Sequence, residues 1–406
     1  MLAGLESLFV VVLVAALAPL LSAVIPGGRI PQLVLLILGG ILIGPSGFGL
    51  AKPSEIELLA NVGLGFVFLL AGFEIQPAIL RTRVAGTALI AWISSCVLAA
   101  VIVGGLAAVG FVHAYVPVGL ALTTTALGTV LPILRERGLH DQDLGRYFLP
   151  NGAIGEMLPI LAIAIFLGVN NRFSALISLA AIGLLALALA YVPRLLRERR
   201  VARIIAAGAD TTGQTTLRWS VLLLLGFLVL AADFGLDVVL GAMLAGMVLR
   251  RYAPGNVHAL EVKLDAVGYG FFIPVFFVSA GMGVNLDSIT ESPARLPVFL
   301  VLLLVVRGLP VFFLYRRTVR TRLRVQLMFC TATTLPLIVA LTEIGLRNGT
   351  MLPENAAALT GAAVLSVLVY PAIAVALERP GGSSVPGEPA VRRPSDGGGD
   401  DPRGRP

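Results

Sequence analysis

A chain of 406 residues in which 57% are hydrophobic and 13% charged, with a mean hydropathy of +0.93, is too apolar to clothe itself in a water-facing surface. That excludes a soluble enzyme or soluble binding domain and places the chain in a bilayer. The net charge of +7 invites a nucleic-acid partner, but the arginines stand at the ends of apolar runs, where they orient membrane segments, so no nucleic acid is expected.

A spanning helix needs roughly 20 apolar residues, and the sequence offers about thirteen such runs. Leu5–Ile25 comes first; it lacks a basic leader and exceeds the roughly 7–15 residues of a signal-peptide core, so it reads as a span. Pro31–Leu50, Glu55–Ile75, Val84–Gly110, Val116–Leu134 and Tyr147–Val169 complete a first six. Ser174–Pro193 follows as a connecting span, and residues 197–216 form the longest loop. A second six comprises Trp219–Leu236, Val238–Leu249, Val267–Val284, Leu296–Tyr315, Val325–Leu346 and Ala356–Leu377. Only Asp237 separates the first two of these. Residues 379–406, rich in Gly, Pro and charge, have too little apolar surface to offset chain entropy and predict a disordered tail. Regulation by a nucleotide-binding domain in cis is not expected.

The basic residues sort into alternate loops, as orientation in a membrane demands. Arg29, Arg81, Arg83, Arg135, Arg137, Arg146, the 194–203 cluster, Arg218, Arg250, Arg251, Lys263 and the 316–324 cluster share one side. The other holds Lys52, Arg172, Arg295 and Arg347. An odd number of spans then puts the N-terminus outside and the C-terminus in the cytoplasm. Because six is even, a connecting span inserts the second six upside down, and a 6+1+6 inverted repeat is the expected design.

The fifth segment of each six carries consecutive threonines beside a helix breaker. In the first these are Thr123, Thr124 and Thr125 before Gly128; in the second, Thr331, Thr333 and Thr334 before Pro336. Threonines can bond back to their own helix and a proline can give a simple kink. Two such interruptions in matching positions point instead to non-helical backbone at membrane depth, which survives only where it lines protein or water.

Two ionisable residues lie deep in predicted spans. Glu156 stands about ten residues into the sixth, where an acid costs roughly +2.5 to +3.5 kcal/mol on insertion scales and so marks a polar pathway. Burial favours the protonated form of such a group and a nearby cation the ionised one, so it can trade a proton for a metal ion. The competing reading is a protonated, purely structural Glu. Arg307 lies too deep to snorkel comfortably. It reads as a counter-charge to Glu156 or to the carbonyl ends of the broken helices. Glu74, Asp233, Asp237, Asp287 and Glu343 fall near predicted helix ends, with headgroups or water as default surroundings. His113, His140 and His258 do too, so no histidine relay is expected. Cys96 and Cys330 sit in apolar runs as small hydrophobes, neither disulfide nor metal ligands. No nucleophile–base pair, metal-ligand cluster or phosphate cradle appears in the sequence, which argues against a membrane enzyme and against a cofactor.

The runs Gly39-Gly40-Ile41-Leu42-Ile43-Gly44-Pro45, Gly65 to Ile75, Leu240 to Gly246 and Phe276 to Met282 resemble those of the cation:proton antiporter-2 family, which includes Nap-type sodium/proton and Kef-type potassium/proton exchangers. The likeness runs from about Leu5 to Leu377. It implies two crossed, interrupted helices facing a helix that bears the ion-binding acid. The matching positions are Thr123–Thr125, Thr331–Thr334 and Glu156, with Arg307 where Nap-type relatives have a lysine. It also implies a homodimer in the plasma (inner) membrane, with a dimerisation half (mainly 5–75 and 217–285) and a core half (mainly 84–169 and 294–378). One departure stands out: Gly155-Glu156 replaces the Asp-Asp or Gln-Asp pair of relatives, and one carboxylate favours one-for-one, electroneutral exchange. The expectation is an all-α membrane protein that exchanges sodium or potassium for protons. Glu156, with Thr124 and Thr125, binds the transported monovalent cation or the proton, and Thr123, Gly128, Thr333, Thr334 and Pro336 form the breaks. The alternatives are a sodium-coupled organic solute symporter and a non-transporting membrane sensor.

Overall fold

The computed structural model describes residues 2–24, 31–75, 79, 81–112, 115–166, 180–181, 183–184, 214–234, 236, 238–252, 257–287, 293–347 and 349–377. Every regular element among them is helical. In chain order these are α1 (Leu2–Val24), α2 (Gln32–Ile43), α3 (Glu57–Glu74), α4 (Arg83–Ala108), α5 (Tyr115–Leu122), α6 (Leu127–Glu136) and α7 (Asp143–Phe166). Then come α8 (Thr215–Asp233), α9 (Val238–Tyr252), α10 (Val257–Met282), α11 (Arg295–Arg317), α12 (Thr321–Ala332), α13 (Pro336–Arg347) and α14 (Pro353–Ala376). Among the described residues, 9 helices are long and apolar enough to cross a membrane, the α12–α13 pair counting as one.

Twelve of the predicted runs fall on these helices. The seventh, Ser174–Pro193, lies almost wholly outside the described residues, as do the 194–203 cluster, Asp237, His113 and the tail from 379. Two boundaries differ. The tenth run is expected from Val267, but α10 begins at Val257. His258, Glu261, Lys263 and Asp265 masked its first turns, where Leu260 and Leu264, one helical turn apart, are buried. Conversely, α2 stops at Ile43 rather than Leu50, because Pro45 cannot extend the ladder and Gly49 turns the chain back at φ 65°.

The helices sort into two groups by what they pack against. In one, α3 lies between α9 and α10, α2 rests on α10 and α1, and α8 backs α9. In the other, α11 and α12 pack on α14, while α7 packs on α4 and α12. The groups meet more sparingly, through α3 on α6, α7 on α9 and α2 on α14.

The glycines of the sequence motifs are what bring the first group together. A methyl group on Gly72 of α3 would strike the Met243 carbonyl of α9, and one on Gly246 of α9 would strike the Leu69 carbonyl of α3. The same reciprocal contact joins α2 and α10, where Gly40 meets Val278 and Gly281 meets Ile37. Lacking a hydrophobic drive between helices in lipid, such packing depends on small residues that let backbones touch.

Candidate ion site

The two interruptions cross near the middle of the second group. Helix α5 ends at Leu122 and α6 begins at Leu127; α12 ends at Ala332 and α13 begins at Pro336. The exposed backbone is satisfied across the crossing, since Ala126 N–H donates to Thr333 O at 2.9 Å. Thr124 donates its hydroxyl to Ala121 O at 2.7 Å, so it is Thr334 that donates across the 2.6 Å contact between their oxygens. Thr123 and Thr333 each donate back to their own helix, to Leu120 O and Phe329 O. Ser366 of α14 serves both backbone groups of Thr334, accepting from its N–H at 3.2 Å and lying 2.9 Å from its carbonyl.

Helix α7 is tied to this crossing at the residue before the acid, where Thr125 N–H donates to Gly155 O at 2.9 Å. Arg307, fully buried, locks the arrangement from behind. Its Nε donates to Thr125 Oγ1 and its Nη2 to Asn151 O, both at 2.8 Å, while Thr125 donates to Thr331 O at 2.7 Å. Arg307 therefore clamps α7 to the first break and makes no ion pair with Glu156 among the described contacts. It reaches this place from a π-helical turn, Leu304–Gly308. A second such turn occupies Gly268–Phe272. Pro310 and Pro274 follow closely, and each removes an N–H from the ladder and displaces the turn before it.

Glu156 itself is 4% exposed. Its carboxylate lies toward the Leu127 N–H at the start of α6. Oε2 has no hydrogen-bond partner. It borders a cavity of about 30 Å³, enough for a pair of waters or one largely dehydrated ion. The wall is shared by the two groups: Leu70 and Glu74 of α3 and Tyr269 of α10 on one side, Thr129 of α6, Glu156 and Pro336 on the other.

Of the residues singled out in the sequence, Glu156, Gly128 and Pro336 line this cavity. Thr123, Thr124, Thr125, Thr333 and Thr334 do not; their polar groups build the crossing. Glu74, Thr129 and Tyr269 are further polar residues in the lining. Glu74, read as a helix-end acid in headgroups or water, borders the cavity instead. Thr129 stands just after the threonine cluster, and its place in the first turn of α6 is the available signal. Glu343 and Arg347 do pair at a helix end, at 2.8 Å, and both cysteines are free.

The profile of the family described as sodium/hydrogen exchanger, transmembrane, matches residues 12–377. The chain belongs to this family. Among similar proteins, the chain is 27% identical over 90% of its length to the putative Na(+)/H(+) antiporter YjbQ of Bacillus subtilis, of which it covers 62%. It is 30% identical over 71% of its length to cation/H(+) antiporter 18 of Arabidopsis thaliana, covering 38% of that protein. With the glutathione-regulated potassium-efflux protein KefC of an Enterobacter species it shares 28% identity over 84% of the chain, covering 56% of KefC. It thus spans well under the full length of these relatives. The sodium proton antiporter MjNhaP1 of Methanocaldococcus jannaschii has the same fold, with a TM-score of 0.61 at 19% identity, covering 92% of this chain and 98% of that one.

Proposed function

We propose that the chain is a secondary antiporter that exchanges a monovalent cation, sodium or potassium, for protons by alternating access. The observation that carries this reading is the unbonded Oε2 of Glu156, buried at the edge of a small cavity between two helix groups and beside two crossed helix breaks. A buried carboxylate oxygen without a protein partner favours a proton or a cation, because an unpaired charge there is costly. It cannot hold both at once, and that exclusion is the coupling.

The remaining site residues have supporting roles in this reading. The Leu127 N–H, at the positive end of α6, steadies the ionised acid between guests. Arg307 holds α7 on the crossing, so that Glu156 moves with the broken helices as one body. Thr129, bordering the cavity, offers a hydroxyl to the cation, and the threonines of the crossing keep the breaks in register. The group of α1–α3 and α8–α10, held by glycine contacts, is the static half and the expected homodimer surface. The group of α4–α7 and α11–α14 is the moving core. We place the protein in the plasma membrane, N-terminus outside and C-terminus in the cytoplasm, on the asymmetry of its basic residues.

The test is reconstitution of the full chain in proteoliposomes with an imposed pH gradient. Sodium or potassium added to wild type dissipates the gradient, and Glu156→Gln abolishes that response while remaining folded. Undiminished exchange in Glu156→Gln removes the acid from the mechanism, and organic-solute uptake without proton flux replaces the antiport reading with symport.

A further inference from the structure

We propose that Glu74 is the second acid of the ion site, delivered from the opposing helix group, so that it strengthens cation binding only while the two groups are apposed as they are here. This deepens the exchange reading above and rests on it. The neighbour that would supply a second polar side chain on α7 is Gly155, and its space is already taken. A Cβ there would lie 2.5 Å from Arg307 Nη2 and 2.6 Å from Thr125 Oγ1. A second acid on α7 would displace the clamp that holds the crossing together.

Helix α3 brings one from the other side. Glu74 is the last residue of α3, two positions beyond Gly72, whose contact with the Met243 carbonyl pins this end of the helix to α9. Its Oε2 would be 3.7 Å from a Cβ on Gly128, against the first turn of α6. The Leu127 N–H toward which Glu156 lies belongs to that same turn. Both carboxylates border one cavity and are close enough for their charges to interact. The unbonded Oε2 of the buried Glu156 marks the cavity as the place where a ligand is needed. Two acids around about 30 Å³ describe a seat for a single monovalent cation.

The consequence is asymmetry between the faces. Glu156 travels with the core, whereas Glu74 stays with α3, so the travelling site keeps one carboxylate and coupling stays at one cation per proton. Affinity differs instead. In the proposed orientation the Glu74 end of α3 is the cytoplasmic end, where the Arg250 guanidinium lies 5.1 Å from the Phe73 ring, so the face it serves is the cytoplasmic one.

The experiment uses the full chain in proteoliposomes of resolved sidedness, with sodium and potassium titrated from each face. For Glu74→Gln the half-saturating cation concentration rises about tenfold at the cytoplasmic face, the loss of one interacting charge, and stays within about twofold at the other, a shift of under 1 kcal/mol. Glu74→Asp, which keeps the charge and moves it, shifts the cytoplasmic value in the same direction by a smaller factor, and it carries the test if the Gln variant does not fold. Equal shifts at both faces, or none in either variant, overturn the proposal and leave the exchange reading standing. Wild-type protein that shows no cation-dependent proton flux defeats both together.

Discussion

The two helix groups solve burial in opposite ways. The group of α1–α3 and α8–α10 brings backbones into contact through glycine, with Gly72 against α9 and Gly281 against α2, and its interior is mostly apolar. The group that holds the crossing buries Thr123, Thr124, Thr125, Asn151, Glu156, Arg307, Thr331, Thr333, Thr334 and Ser366. Polar side chains at such depth are tolerable only when nearly every atom finds a partner, and here the threonines, Arg307 and Ser366 supply one another. The lesson is a division of labour: close apolar packing makes a frame, while a largely satisfied polar network holds the broken helices and leaves Glu156 Oε2, Asn151 Oδ1 and Arg307 Nη1 open.

The comparison is broken most severely at the frame. Gly72→Leu drives a side chain into the α9 backbone, and the expected outcome is failure to obtain folded, monodisperse protein, checked by size-exclusion chromatography. At Gly155 added volume acts on the core instead. Gly155→Ala forces Arg307 Nη2 and Thr125 aside, a few tenths of an ångström being too little to relieve contacts of 2.5 and 2.6 Å. The protein folds with a lowered melting temperature and exchanges more slowly, which separates frame damage from site damage in one pair of variants.

A gentler cut into the polar network is Arg307→Met. It removes two charged hydrogen bonds, each worth about 1.5–3 kcal/mol, but takes the buried charge away with them, so the net loss is smaller than their sum. Exchange falls sharply because α7 is no longer held to Thr125, and Arg307→Lys, which cannot span both partners as a fork does, recovers only part of it. Thr334→Val comes next. It deletes the donor to Thr124 and costs about 1 kcal/mol, read as a fall in melting temperature with cation selectivity unchanged.

How much of this could be read from the chain depended on whether a residue was out of place in its own segment. Glu156 and Arg307 stood out because a charge inside an apolar run is costly wherever the helix packs. The breaks showed themselves because threonine clusters and Pro336 recur at matching positions. Glu74 gave no such signal, since an acid at a helix end is ordinary. It matters only because the end of α3 abuts the first turn of α6, and that adjacency is set by glycine contacts between distant segments. The partners of Arg307 were hidden for a related reason. The π turn that aims its side chain at Thr125 and Asn151 depends on ladder geometry before Pro310, which residue spacing does not display.

The smallest effect belongs to the far end of α3. Glu57 begins that helix, about 26 Å from Glu74 at 1.5 Å per residue, and its Oε1 lies 3.2 Å from Arg347 Nη2, which also pairs with Glu343 at 2.8 Å. This network bridges the frame and the core where they meet opposite the cavity, so it opposes any movement that separates them there. All three side chains are substantially exposed, and exposed pairs contribute only ~0.2–1 kcal/mol and weaken with salt. Arg347→Gln therefore changes the exchange rate by no more than about fivefold at low ionic strength, the factor that 1 kcal/mol allows. The difference from wild type shrinks as salt is raised. An effect that is larger, or indifferent to salt, means that the boundary between frame and core is held by charge rather than by the shape of their apolar surfaces.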